Sequence, residues 1–157
     1  MQNVIGPGYR WLEGNTIRHY FGNARWSWID CDDLALVAAY ALRQPQKYAG
    51  QIIPLGYDAK TFDEVAQILT EVAGQPFYVQ ARPPEEFLEN ALAAGADPAY
   101  MTCVYTQFKL NALAAIPGSD ATFDNFETIT GRKPTSWREF ALKHRDEFYY
   151  LPKQGES

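Results

Sequence analysis

The amino-acid sequence predicts an α/β chain, with three or four short strands and about five helices in alternating order. Apolar residues recur at helical spacing behind clear capping signals, and short segments rich in β-branched and aromatic residues lie between them. The 157 residues are the usual size of one domain. We expect a single α/β domain over residues 1–150 and a flexible tail over residues 151–157. A self-sufficient doubly wound domain usually has more strands than this sequence predicts.

The strand predictions begin with two aromatic-rich segments, residues 16–21 and 24–29. Between them lies Gly22-Asn23, a pair that favours a tight two-residue turn, so the pattern predicts a β-hairpin. A further short strand is predicted at residues 51–56, where an internal proline restricts it to a sheet edge. The last predicted strand covers residues 76–81.

Capping signals indicate where the helices begin. Asp30 offers a capping side chain to the first helix, which ends before Pro45. The segments 61–64 and 136–139 are capping boxes, in which a hydroxyl and a glutamate satisfy the free amides of a helix start. Helices are predicted over residues 30–44, 61–74, 85–95, 98–116 and 136–148, with a short helical turn over residues 124–130.

The composition argues against several classes of protein. The net charge is −5, and no run of lysines and arginines suggests a nucleic-acid surface. No segment is long and apolar enough to span a membrane, and the first residues do not resemble a signal peptide. Cys31 and Cys103 form no CxxC pair and are expected to be buried or half-buried thiols. The sequence therefore predicts a cytoplasmic protein that binds neither nucleic acid nor membrane.

Motifs for catalysis are absent from the sequence. The two closest glycines, in Gly6-Pro7-Gly8, follow no predicted strand, so no glycine-rich phosphate loop is present. His19 and His144 lie far apart and show no metal-ligand spacing. The paired carboxylates fall in the first turns of predicted helices, where negative charge has a structural role. We expect no catalytic residue, no metal and no cofactor for this chain alone.

Aromatic residues are the unusual feature, with 15% of the chain being Phe, Trp or Tyr. These rings either fill the core or line an apolar pocket or partner surface. His19 is either a residue on the face of a sheet or a catalytic base. The candidates from the sequence for a substrate or ligand pocket are His19, Tyr57, Tyr100 and Tyr105.

Four segments resemble, in order, motifs from the C-terminal half of the NmrA-like family, which are atypical short-chain dehydrogenase/reductase proteins with an NAD(P)-binding sheet. The segments are Met1-Gln2-Asn3, residues 27–35, residues 50–56 followed by 61–66, and residues 126–134 followed by Ser136 and Phe140. The resemblance implies a partial Rossmann-like fold that corresponds to the substrate-binding part of such a protein. It also implies that the family's glycine-rich N-terminal portion is missing.

The resemblance assigns places to particular residues. Residues 1–10 would line the nicotinamide and substrate end of the cleft, with Asn3 as the first candidate. The helix that carries Tyr100 and Tyr105 would form part of a substrate lid. The strand near residues 52–55 would lack its neighbours, so we expect a homo-oligomer that forms through this open sheet edge.

Three functional interpretations remain open. The chain is a non-catalytic binding or interaction module without its own cofactor site, or it is the substrate-binding half of an NAD(P)-dependent oxidoreductase that a separate N-terminal chain completes. The third interpretation is a stand-alone binder of small ligands. NAD(P) is expected only with a complementary N-terminal half, so the chain by itself should not be a working dehydrogenase.

Overall fold

The computed structural model describes residues 1–5 and 11–148, and it confirms the predicted α/β class. A short 3₁₀ turn, Gln2–Val4, precedes the other elements. The described strands are β1 (Leu12–Glu13), β2 (Thr16–His19), β3 (Trp26–Trp28), β4 (Asp58–Lys60) and β5 (Tyr78–Ala81). The described helices are α1 (Cys31–Arg43), α2 (Pro45–Tyr48), α3 (Phe62–Ala73), α4 (Pro84–Ala93), α5 (Pro98–Ala112), α6 (Asn125–Thr130), α7 (Trp137–Lys143) and α8 (Arg145–Phe148).

The strands form two small sheets, and the predicted hairpin across Gly22-Asn23 is wrong. In the first sheet β2 lies between β1, which is antiparallel to it, and β5, which is parallel. In the second sheet β3 pairs with β4. Because β1 and β5 occupy both edges of β2, no edge of that strand is left for β3. The tight turn instead occurs at Gly14-Asn15, where the chain reverses between β1 and β2.

The predicted strand at residues 51–56 is also wrong. These residues form no strand, and Ile52 is 94% exposed. Pro54 has no N–H to donate, and its carbonyl accepts from the Asn125 side chain at 2.9 Å. The Gly56 carbonyl accepts from the Phe123 N–H at 2.9 Å, so this segment is held by the loop before α6. The strand begins two residues later, at β4, and the open edge expected near residues 52–55 does not exist.

The helix starts agree with the predictions. Asp30 caps α1 through a bond from the Asp32 N–H to Oδ1 at 3.1 Å. The predicted capping boxes are both formed, at Thr61 for α3 and at Ser136 for α7. The helix ends agree less well, since α5 stops at Ala112 instead of continuing to residue 116. The predicted last helix is broken at residue 144 into α7 and α8, and α2 was not predicted.

The core lies between α3, the first sheet and α7. The buried face of α3 includes Phe62, Val65 and Leu69, and it packs against β5 and α7. Trp137 and Phe140 of α7 are fully buried in the same cluster. A second layer, the hairpin of α4 and α5, buries few side chains and packs mainly against itself. This hairpin, which packs little against the rest of the protein, forms one wall of the pocket described below.

We expect Gly22→Ala to destabilise the protein more than Gly14→Ala. Both glycines have a φ of +59°, so each substitution strains the backbone by about 1 kcal/mol. A Cβ at position 14 meets nothing within 4 Å, whereas one at position 22 would lie 2.9 Å from the Ala112 carbonyl oxygen at the end of α5. This overpacking should lower the unfolding free energy by a further amount of about 1–3 kcal/mol. Urea denaturation of both variants measures the difference, and equal losses would contradict the close approach to α5.

Candidate ligand-binding site

An apolar cavity of about 200 Å³ lies where the end of β2 meets the α4–α5 hairpin. We call it the outer chamber. The residues around it come from the first turn, the loop before β1, the end of β2, α4 and α5. They are Asn3, Trp11, Tyr20, Phe21, Phe87, Tyr100, Met101, Val104 and Phe108. Of these described residues, Asn3, Trp11 and the two tyrosines carry a nitrogen or oxygen atom in the side chain.

Three rings from three separate parts of the chain form one wall of the outer chamber: Tyr20 after β2, Phe87 on α4 and Phe108 on α5. Tyr20 stacks on Phe108, with ring centroids 5.5 Å apart and an angle of 24° between the planes. Phe87 contacts both rings edge-on, at 4.8 Å from Phe108 and 5.6 Å from Tyr20. Burial, together with the charge of Glu86, raises the pKa of Tyr20, so its hydroxyl is protonated at neutral pH. The wall is therefore uncharged and already assembled.

The rim beside this wall carries a fixed ion pair. Arg82 follows β5, and its guanidinium donates two hydrogen bonds to the Glu86 carboxylate of α4, at 2.8 and 2.5 Å. The Arg82 N–H also donates to the carbonyl of His19 at 2.8 Å. These bonds tie the start of α4 to the end of β2. They hold Phe87 of α4 against Tyr20, which follows β2.

A second cavity of about 170 Å³, the inner chamber, adjoins the outer one. The two chambers share three lining residues: Asn3, Trp11 and Phe21. The inner chamber is also lined by Trp26, Ser27, Trp28 and Phe62. Phe62 is buried, and its ring contacts those of Trp11 and Trp28 at 5.5 and 5.3 Å.

His19 is held as a neutral side chain on the face of the sheet. It is 1% exposed, and its ring stacks on Phe62 at 3.9 Å with 9° between the planes. Its Nδ1 accepts from the Phe21 N–H at 3.2 Å. Burial lowers the pKa of His19 to about 4, which makes it a weak base at neutral pH. His19 does not appear among the described lining residues of either chamber, and its place in a ligand site stays a prediction.

The other predicted site residues divide between three places. Asn3 and Tyr100 both line the outer chamber. Tyr57 lies elsewhere, in a wide depression of about 460 Å³ that also includes Phe123. The hydroxyl of Tyr105 is 3.1 Å from Glu85 Oε1, on the α4–α5 hairpin but outside the lining of the chambers. Residues 6–10, which the resemblance places at the cleft, lie outside the described residues.

Sequence reasoning missed most of the aromatic lining. On α5 the lining residues Tyr100, Val104 and Phe108 are four residues apart, which places them on one helical face. This spacing could have identified Phe108. Tyr20 and Phe87 belong to other elements, and only the packing of α4 and α5 beside β2 brings them to the same wall.

Other kinds of site find little support in the part of the chain that the structure describes. Its His, Cys, Asp and Glu side chains form no group of three that could hold a metal ion. Cys31 and Cys103 are free and exposed, so the expectation of buried or half-buried thiols is wrong. No described helix is long and apolar enough to cross a membrane.

The stability of the protein should fall in mild acid because of His19. Its pKa is about 4 in the folded state and 6.5 in an unfolded chain, so below pH 6.5 protons bind preferentially to the unfolded state. The unfolding free energy should decrease by about 3 kcal/mol between pH 6.5 and pH 4 from this residue alone. His19→Asn can retain an acceptor for the Phe21 N–H and should flatten this slope in urea titrations. An unchanged slope in the variant would contradict the assignment.

Comparisons with known proteins give two curated relatives. The chain is 29% identical over 149 residues to the NAD(P)H azoreductase of Xenophilus azovorans, covering 94% of this chain and 51% of the relative. It is 30% identical over 149 residues to the uncharacterized oxidoreductase YesF of Bacillus subtilis, covering 92% of this chain and 50% of the relative. No family model matches the sequence. The chain therefore spans about half the length of the curated relatives it matches.

Solved structures share the fold. The triphenylmethane reductase of Citrobacter sp., in complex with NADP(H), matches with a TM-score of 0.62 and 24% identity, over 83% of this chain and 44% of the reductase. The NADPH-dependent quinone oxidoreductase QOR2 of Escherichia coli matches with a TM-score of 0.67 and 17% identity, over 92% of this chain and 51% of the enzyme. The predicted resemblance is confirmed: the chain is related to the NmrA-like, atypical short-chain dehydrogenase/reductase proteins and corresponds to about half of such a protein.

Proposed function

We propose that this chain supplies the substrate-binding side of an NAD(P)H-dependent reductase and binds a planar, apolar ring compound between its aromatic side chains. The observation that carries the proposal is the outer chamber, whose wall of Tyr20, Phe87 and Phe108 is preformed and uncharged. The names of the relatives add support, since azo compounds, triphenylmethanes and quinones all contain conjugated or aromatic ring systems.

The size of the chambers suits such compounds. A dry apolar cavity of about 150 Å³ is sufficient to bind benzene. The outer chamber is about 200 Å³ and the inner one about 170 Å³, so each has room for one ring. Ring centroids 4.5–7 Å apart give favourable aromatic contacts. The rings that line the chambers already have such spacings to one another, and a ligand ring could extend the same pattern.

The described junctions between strands and helices do not fit the pyrophosphate of NAD(P). Such a group needs a glycine-rich turn and free N–H groups at a helix start. Instead, α1 begins with Asp30 and Asp32, and the Asp30 carboxylate already occupies the Asp32 N–H. The capping box occupies the start of α3, and α4 begins with Glu85 and Glu86. Negative charge at these places repels phosphate.

We infer that the cofactor is held by a glycine-rich segment outside the described residues, on another chain or another part of a longer protein. With such a segment the chain would take part in reduction, and without it the chain would bind its ligand and leave it unchanged. The second case is the non-catalytic binding module that the sequence suggested. Addition of NADPH to residues 1–157 alone should leave the thermal unfolding temperature unchanged.

Biphenyl binding tests the proposed site. We expect equilibrium dialysis to show binding to the unaltered chain, and Tyr100→Ala to weaken it about fivefold through the loss of one ring contact. Tyr105→Ala is the matched control, because Tyr105 lies on the same helix but outside the lining of the chambers. Equal effects of the two substitutions, or no binding to the unaltered chain, would contradict the proposal.

We also propose that the chain self-associates through the exposed face of α1. Leu34 and Leu42 of this helix are 48% and 82% exposed, and Ala38 lies between them on the same face. Since α1 packs on α2 and α6, this apolar face is uncovered. It replaces the edge near residues 52–55 as the expected contact of a homo-oligomer.

Sedimentation velocity measures this association. Leu42→Glu should weaken it about tenfold, because a leucine buried at an interface contributes about 1.5–3 kcal/mol. Leu142→Glu changes an exposed leucine on α7 and should leave the association constant unchanged. A monomer at all protein concentrations would refute self-association.

A further inference from the structure

A further cavity lies apart from both chambers, beside Tyr57, which the sequence predicted as a residue of a ligand pocket. It is the wide depression of about 460 Å³, and it shares none of its described lining residues with either chamber. We call it the Tyr57 depression. The described residues that line it are Tyr57, Thr122, Phe123, Asp124, Glu127 and Pro134. The aromatic chambers therefore do not account for this part of the surface.

Two exposed rings give the Tyr57 depression an apolar part. Tyr57 is 39% exposed and Phe123 is 37% exposed, so each ring has a large area that a ligand can cover. The Tyr57 N–H donates to the Trp28 carbonyl at 3.1 Å, and the Phe123 N–H donates to the Gly56 carbonyl at 2.9 Å. Both rings are therefore carried by backbone that is fixed to neighbouring segments. Exposed aromatic side chains in a concave surface are typical of ligand sites.

Two carboxylates give the same depression a negative charge. Asp124 and Glu127 both line it, and neither has an ion pair or a side-chain hydrogen bond among the described residues. Asp124 stands at the N-cap of α6, but its side chain does not cap this helix, whereas Asp30 caps α1. No lysine or arginine is among the described lining residues. The negative charge is therefore available to a ligand.

The combination of rings and carboxylates favours an organic cation over a metal ion. Ca²⁺ takes about six to eight oxygen ligands, and the described residues contain no group of three side chains that could hold a metal. Aromatic faces attract quaternary ammonium groups, as in the aromatic cages that bind choline and methylated lysine. Such a group can contact rings through its methyl groups while carboxylates balance its charge.

We propose that the Tyr57 depression is a second binding site, and that it takes a small quaternary ammonium compound. The methyl groups of the ligand contact the rings of Tyr57 and Phe123, and Asp124 and Glu127 balance its positive charge. This inference is independent of the proposed function, since the depression and the chambers have no described lining residue in common.

A pair of ligands with nearly identical shape tests the proposal. Choline and 3,3-dimethyl-1-butanol differ in one atom, which is a charged nitrogen in the first and a neutral carbon in the second. We expect the unaltered chain to bind choline about tenfold more tightly, through two cation–ring contacts and the attraction of the carboxylates. Both affinities are measured in ¹⁵N–¹H spectra, from the movement of the Phe123 and Asp124 amide signals. Equal affinities, or no binding of choline, would overturn the inference.

Two variants separate the contribution of the ring from that of the charge. Phe123→Leu keeps an apolar side chain but removes the ring, and it should weaken choline binding about threefold. Glu127→Gln keeps the shape but removes the charge, and it should also weaken choline binding about threefold. Glu89→Gln is the matched control, because it removes the same charge from an exposed position on α4 outside the depression. Equal effects of the two glutamine variants would mean that choline responds to net charge alone, and would overturn the site.

Tyr100→Ala separates the Tyr57 depression from the outer chamber. Tyr100 lines the outer chamber and not the depression, so this substitution should leave choline binding unchanged. Choline binding that is lost in Tyr100→Ala would place the ligand in the outer chamber and overturn the assignment. Choline binding that persists in a chain unable to bind biphenyl would support this inference and contradict the proposed function, so the two failures are distinguishable.

Discussion

The capping box at the start of α3 is the local interaction on which the rest of the structure depends. The Thr61 hydroxyl accepts from the Glu64 N–H, and the Glu64 carboxylate accepts from the Thr61 N–H at 2.8 Å. These bonds fix where the helix begins, so Phe62 becomes its first residue. The ring of Phe62 then contacts Trp11, His19, Phe21 and Trp28, which come from both sheets and the segments beside them. Phe62 thereby joins two sheets that share no ladder, and it lines the inner chamber between them.

The sequence predicts the parts of the fold that depend on neighbouring residues better than the parts that depend on distant segments. The helix caps depend on residues two or three positions apart, so Asp30, Thr61 and Ser136 could be identified from the sequence. Strand pairing depends on distant segments. A Gly-Asn pair occurs twice, at residues 14–15 and 22–23, and only the first forms the hairpin. The second turn has to pass the end of α5, a constraint that neighbouring residues do not reveal.

The candidate site was predictable to the same limited extent. Asn3 followed from the resemblance to a family, and Tyr100 from the abundance of aromatic residues, and both line the outer chamber. The same abundance also pointed to Tyr57 and Tyr105, which lie outside it. Aromatic content alone does not tell which rings converge. The wall of the chamber requires α4 and α5 to pack beside the end of β2, and no local pattern specifies that arrangement.

The residues that made the helices predictable also determine what the chain is able to bind. Acidic side chains at the first turns of α1, α3 and α4 stabilise these helices through the helix dipole. The same carboxylates accept from the free N–H groups at these helix starts, or they repel a phosphate there by their negative charge. The chambers, in contrast, are lined by uncharged rings, and burial keeps His19, which stacks on Phe62 outside their lining, neutral. Local stability and site chemistry therefore both agree with the proposal that this chain holds an apolar ring compound and that the dinucleotide is bound elsewhere.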